Sequence, residues 1–390
     1  MRLLSISLSG FRSWREFDAS FDSGQTLLLG RNGVGKTNVI EAIGFVSTLG
    51  SHRTTDTKTL IHRGADQATV TIVVEKEGRP VTLEACIAAA RPVTTSMNGN
   101  KMTRPRDILG YLPTVLFCPE DLDIIRRDPA IRRTFIDELL IARYPRFSAA
   151  MAEFGRIVKQ RGTLLKSASG GRSTQSRGSI EATLDAWDEQ FVNASARMLL
   201  GRLDTLRVLR PRLTERHNQV SDSGKQADVA YSAYNHNVAD LLSTADSADG
   251  IPSITHDDAV QAYSSDLRER RDDELRRGVC LVGPQRDDVS VMLGEELAKG
   301  FASHGETWSV ALGLKLACFD VMRETHREDP VLLLDDVFAE LDEIRRQRLA
   351  DAIAGVEQVI ITAAVAADVP KELSGRVIEI DREAGGVHHG

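Results

Sequence analysis

The octapeptide Gly30-Arg31-Asn32-Gly33-Val34-Gly35-Lys36-Thr37 limits what this chain can fold into more than any other feature. It fits the pattern Gly-x-x-x-x-Gly-Lys-Thr. The short apolar run Thr26–Leu29 precedes it, and Val39, Ile40, Ala42, Ile43 and Phe45 follow at helical spacing. Strand, glycine-rich turn and helix in that order make a phosphate cradle. The glycines let backbone N–H groups curl around an anion, and the helix start adds its positive end. In this reading Lys36 reaches the β- and γ-phosphates and the Thr37 hydroxyl ligates Mg2+. Gly30, Arg31, Asn32, Gly33, Val34, Gly35, Lys36, Thr37 and Asn38 form the candidate nucleotide-binding set, with ATP and Mg2+ as the expected ligands.

Such a loop needs an acidic partner at the end of a neighbouring strand. Val331-Leu332-Leu333-Leu334-Asp335-Asp336 supplies one nearly 300 residues downstream. The apolar run reads as a buried strand, with Asp335 placed to hold the metal and Asp336 to polarise an attacking water. Two further segments bear on the same chemistry. Ser303-His304-Gly305-Glu306 precedes the helical run Val310–Phe319, and Ala339-Glu340-Leu341-Asp342 follows the acidic pair. Ser303 and Gly305 could offer a hydroxyl and N–H groups to a phosphate, or could simply cap the helix.

The chain has 390 residues, enough for two or three structural units. The first 120 residues read as strands around one helix: Leu4, Ile6 and Leu8 alternate with polar residues, and Ala68–Glu75 and Val81–Ile87 flank a turn at Gly78-Arg79-Pro80. Between them and the C-terminal α/β region, Ile136, Leu140, Tyr144, Phe147, Met151, Phe154 and Val158 recur three and four residues apart. After a Gly/Ser-rich stretch at 167–179, Ile180, Leu184, Trp187, Phe191, Ala194 and Met198 resume the spacing. Two helices joined by a mobile turn predict an antiparallel hairpin of about 30–50 Å. Ser243–Ser253 reads as another loop. The organisation expected is an α/β domain built from residues 1–120 and 279–390, with an α-helical arm at 121–278 inserted between its halves.

No stretch is long and apolar enough to span a membrane, and the N-terminus is not a secretory signal. The four cysteines stand far apart without metal-ligand spacing, as in a reduced, cytoplasmic protein. The net charge of −7 hides a basic middle: Arg104 to Arg216 holds 20 Lys/Arg against 14 Asp/Glu. Arg126, Arg127, Arg132, Arg133, Arg202, Arg207 and Arg210 are the candidate DNA contacts, binding phosphates without reading sequence. The alternative is a solvated helix face whose arginines are balanced by acids.

The order of these motifs resembles the ABC-type ATPase heads of the SMC-like group. Within it the chain is similar to the RecF family of bacterial recombination mediators. The residues that carry this resemblance are LSGFRSW at the N-terminus, the phosphate loop, Val115–Asp137, Gly283-Pro284-Gln285-Arg286-Asp287-Asp288 and LLLDDVFAELD. The resemblance implies an ABC-type P-loop head with a short inserted arm, and a composite site in which ATP on one protomer's loop is covered by the other's Ser303. It further implies an ATP-dependent homodimer on single-stranded and gapped DNA, cooperation with RecR and RecO, help in loading RecA, and weak, DNA-stimulated hydrolysis. Three positions depart from the general ABC pattern: Glu306 stands for the signature glutamine, Asp336 for the usual glutamate, and Ala363-Ala364 where transporter-type heads carry a switch histidine. A shorter base and no histidine predict slow turnover, with ATP mainly a dimerisation switch. Glu120 falls near the expected glutamine loop. A transporter ATPase subunit would need the histidine and an apolar coupling surface, and a chromosome-structural SMC protein would need a far longer arm.

Overall fold

A computed structural model describes residues 1–169, 177–247, 250–373, 375–381 and 387–389. The chain forms two compact units: Met1–Leu122, Arg212–Gly224 and Ser303–Gly390 make the first, and Asp123–Pro211 with Lys225–Ala302 make the second.

Among the described residues, the first unit holds two six-stranded sheets. One is antiparallel, in the order Trp14–Ser20, Arg2–Phe11, Gln67–Lys76, Arg79–Ala88, Arg91–Met97, Asn100–Lys101. The other is largely parallel, in the order Val387–His389, Arg376–Ile380, Gly24–Leu29, Gln358–Ala363, Val331–Asp335, Thr114–Phe117. Val331–Asp335 and Gln358–Ala363 are buried at every position, as strands with both faces covered must be. The helix Lys36–Thr48 buries Val39, Ile40, Ile43 and Phe45 completely. Its apolar side chains share one core with Ile6, Val70, Ile72 and Leu83 of the antiparallel sheet and with Leu28, Leu333 and Ile360 of the parallel one.

Two local expectations shift by a residue. Leu3 is fully buried, while Leu4 is only half-buried. A bulge between Leu3 and Ser5 switches the inward position, which simple alternation cannot show. The hairpin turn is Glu77-Gly78, both at positive φ, so Arg79 and Pro80 already pair in the strand.

In the second unit, the helices Phe147–Ser169 and Arg177–Val220 run antiparallel, with Phe154 stacked on Phe191 at 5.9 Å between ring centroids. The second helix is 44 residues long, more than the periodicity suggested. The division between units falls at Pro211, inside this helix. Most of the expected mobile turn, residues 170–176, lies outside the described residues, as do 248–249 of the second expected loop and 382–386 near the C-terminus.

The domain limits differ from those expected in two places. Residues 279–302 pack with the arm because Asp288–Leu293 pairs antiparallel with Ala227–Ser232. Residues 212–224 pack with the chain-end unit. There Arg216 grips Asp320 with both arms, and Arg212 meets Glu324.

His217 belongs to that same segment. It is fully buried, and neither ring nitrogen has a hydrogen-bond partner among the described residues. A Cβ at Gly313 would lie 3.1 Å from its Cα. Burial pushes its pKa below the usual histidine value, against an opposing pull from Glu306. The folded state therefore resists protonation below about pH 6.5, the ordinary value that the unfolded chain keeps. Stability should be unaffected above that pH and should fall as pH drops through it, by up to about 1.4 kcal/mol per pH unit, until the folded pKa is reached. His217→Leu should flatten this acid-side loss in urea melts at pH 7.5 and 5.5. An unchanged slope would assign the loss to other groups.

Candidate nucleotide site

The phosphate loop leaves the strand Gly24–Leu29 at its C-terminal end, in the middle of the parallel sheet. Gly33 and Gly35 have φ of 84° and 114°, which side-chain-bearing residues rarely adopt. A Cβ on Gly35 would also lie 2.6 Å from Ser13 Oγ and 2.9 Å from the Trp14 ring, whose Nε1 donates to Gly35 O at 3.2 Å. The amides of Gly35, Lys36 and Thr37 open the following helix, where the first N–H groups lack intrahelical acceptors. Lys36 is buried, and its Nζ donates to Gly30 O at 2.7 Å and Arg31 O at 3.3 Å. Arg31 and Asn32 are exposed, while Val34 packs against the core. Asn38 donates to Ser13 Oγ at 2.7 Å and accepts from Arg53 at 3.2 Å.

Thr37 and Asp335, 298 positions apart, meet here: Thr37 Oγ1 donates to Asp335 Oδ1 at 3.1 Å. The register that brings them together is the parallel pairing of Gln358–Ala363 with both neighbouring strands. Thr362, to which the sequence reading gave no role, ties the acidic pair together. Its hydroxyl donates to Asp335 Oδ1 at 2.7 Å and accepts the Asp336 N–H at 2.8 Å. Burial drives the Asp335 carboxyl up to about 6; the Thr362 and Thr37 bonds oppose this, and the charges of Asp336 and Glu120 add to it. Asp336 has φ 51°, a left-handed conformation that costs an L residue about 1 kcal/mol or more and often marks functional turns. Glu120 is exposed, in the short turn Pro119–Leu122 that follows the edge strand Thr114–Phe117. A hydroxyl and a carboxylate in contact form a hard-oxygen set that suits Mg2+. Thr37 and Asp335 would hold such an ion, which supplies Lewis-acid polarisation of phosphoryl oxygens when bound.

Ser303 caps the helix His304–His326 in a reciprocal box. Its hydroxyl accepts Glu306 N–H at 3.2 Å, and its own N–H donates to Glu306 Oε2 at 2.9 Å. Glu306 thus serves the cap as a glutamine would. A cleft of about 370 Å3 beside it is lined by Ser303, Glu306, Asp342, Ile344, Arg345 and Arg348, among others.

The candidate DNA arginines fall into two groups. Arg132 and Arg202 are buried, each bonded through two nitrogens to one carboxylate, Asp288 and Asp137 respectively. Arg210 grips Asp228 in the same way, Arg133 donates to Asp287 O, and Arg207 to Pro252 O. Arg132 and Arg202 help hold the second unit together, because a buried guanidinium must be paired. Arg126 and Arg127 are exposed, the latter 2.7 Å from Asp123.

Comparison with known proteins supplies the context. A family model described as "RecF/RecN/SMC N terminal domain" matches residues 2–385. The "DNA replication and repair protein RecF" of Arthrobacter sp. (strain FB24) is 41% identical, over 97% of this chain and 97% of that protein. Its namesake in Kineococcus radiotolerans is 43% identical over 96% of each. A solved "Structure of the recombination mediator protein RecF-ATPrS in RecFOR pathway" superposes with a TM-score of 0.86 at 24% identity, covering 100% of this chain and 98% of that one.

Proposed function

The chain belongs to the RecF family within the RecF/RecN/SMC group, and from that premise we propose that it is an ATP-binding protein of DNA replication and repair that closes as an ATP-held homodimer on DNA. The observation that carries this reading is the meeting of Thr37 with Asp335 at the end of the phosphate loop. Lys36 and the loop amides bind the phosphates. Thr37 and Asp335 hold Mg2+, and Asp336 orients the attacking water. The Ser303–Gly305 segment of one protomer covers the nucleotide held by the other, which makes ATP the link between them. Hydrolysis opens the dimer and is slow, because Asp336 is short and Ala363 stands where a histidine would sit.

DNA is bound through its phosphates without regard to sequence, with exposed cations such as Arg126, Arg127, Arg156 and Lys159 in contact. Single-stranded and gapped duplex DNA are the expected forms, and loading of RecA with RecR and RecO the expected setting. In a gel or filter assay, gapped duplex should be retained only with ATP and Mg2+, and retention should weaken steeply with salt. Retention that is the same without nucleotide would overturn this reading.

A further inference from the structure

Arg345 lies in the first turn of the helix Glu343–Ile353. Asp342, the cap of that helix, holds it twice: Oδ1 accepts the Arg345 N–H at 2.9 Å, and Oδ2 pairs with Nη1. This double attachment fixes where the guanidinium goes. Its Nη2 rests on Gly305, where a Cβ would lie 2.3 Å from Nη2 and 2.9 Å from Cζ. The glycine of the Ser-x-Gly segment is therefore the platform for a charged fork beside Ser303. A guanidinium has five N–H donors, of which Nη1 carries two. Nε and Nη2 donate to no described residue. The side chain is about a third exposed and lines the 370 Å3 cleft, across which Arg348 pairs with Asp222.

A planar fork with spare donors suits a phosphoryl group, which it can contact through two N–H bonds at once. The site around the phosphate loop has a matching need. In the transfer of a terminal phosphoryl group, negative charge is spread over its three equatorial oxygens, where a positive group stabilises it. Beyond Lys36 and the metal, Ala363-Ala364 stand where a switch histidine would meet that charge.

We infer that Arg345 is a phosphate-contacting catalytic residue that acts in trans, closing on the terminal phosphate of ATP held by the partner subunit. This rests on the ATP-held dimer proposed above. In the step it assists, water oxygen bonds to the γ-phosphorus and the bond from that phosphorus to the bridging oxygen breaks. ADP leaves with the electron pair, and the proton of the water passes to a carboxylate and then to solvent.

Three measurements decide it. The wild-type mass with ATP and Mg2+ comes first, because a monomer there ends the dimer reading itself, before Arg345 is in question. With a dimer in hand, Arg345→Ala should bind ATP within threefold of wild type yet lose about 1,000-fold or more in kcat, the lower end of the range for an arginine finger. Arg345→Lys, which keeps the charge but not the fork, should recover part of it. Mixing Arg345→Ala with Lys36→Ala, each inactive alone, pairs an intact phosphate loop on one subunit with an intact arginine on the other. The mixture should hydrolyse ATP at least tenfold faster than the sum of the two. A kcat for Arg345→Ala within threefold of wild type overturns the inference. So does a mixed dimer, seen by mass, that is no faster than the sum.

Discussion

A Lys36→Ala protein is expected to bind ATP about 100-fold more weakly than wild type while keeping its fold. Lys36 is buried at the loop, its ammonium held on the carbonyls of Gly30 and Arg31. Those two bonds place the charge where phosphate oxygens arrive. Each hydrogen bond from a charged donor contributes about 1.5–3 kcal/mol, so losing its contacts to phosphate removes roughly 3 kcal/mol, or two orders of magnitude in affinity. The fold does not depend on it to the same degree, because the helix that follows is anchored by Val39, Ile40, Ile43 and Phe45. Calorimetric titration with ATP and Mg2+ reads the first effect and a thermal melt the second. An affinity within threefold of wild type would move the nucleotide away from this loop.

The second large effect lies in the arm unit. Arg161 and Glu274 are both fully buried, and Nη2 meets Oε2 at 2.9 Å. Arg161 Nε also bonds Asp188 at 2.6 Å, and its guanidinium lies over the Phe191 ring at 4.8 Å. Burial pulls the arginine pKa down, but the bond to Glu274 and the nearby acidic charges outweigh it and raise it above the ordinary value. Arg161→Met leaves Glu274 as an uncompensated buried charge and should cost about 3–5 kcal/mol in unfolding. Arg161→Met with Glu274→Leu should recover most of that, since an apolar pair of similar volume often replaces a buried ion pair without loss. A single variant within 1 kcal/mol of wild type would show that water reaches the site.

These arginines show how much a sequence discloses. The phosphate loop is legible because a phosphate cradle constrains every position from Gly30 to Thr37. The strand ending in Asp335 is legible because a doubly covered strand must be apolar throughout. Their contact through Thr37 rests on strand order, which alternation and composition do not encode. Thr362 escaped notice because a lone threonine at the end of a strand carries no pattern. Which arginines of the basic middle are spent on acids was not legible, because counting charges does not say which arginine finds which acid. Arg132 and Asp288 are 156 positions apart, and Arg202 and Asp137 are 65 apart. The same long-range pairing explains why residues 279–302 joined the arm: Asp288–Leu293 finds its partner strand at Ala227–Ser232.

The central claim is that ATP joins two copies of this chain through a site that neither completes alone. The most direct test is the solution mass of the protein with and without ATP and Mg2+, for wild type and for Ser303→Arg. Wild type should double in mass with ATP. Ser303→Arg should bind ATP and stay a monomer, because the long side chain fills the cleft where the partner's phosphates would enter. A wild-type chain that binds ATP and remains a monomer, even on gapped DNA, would contradict the account.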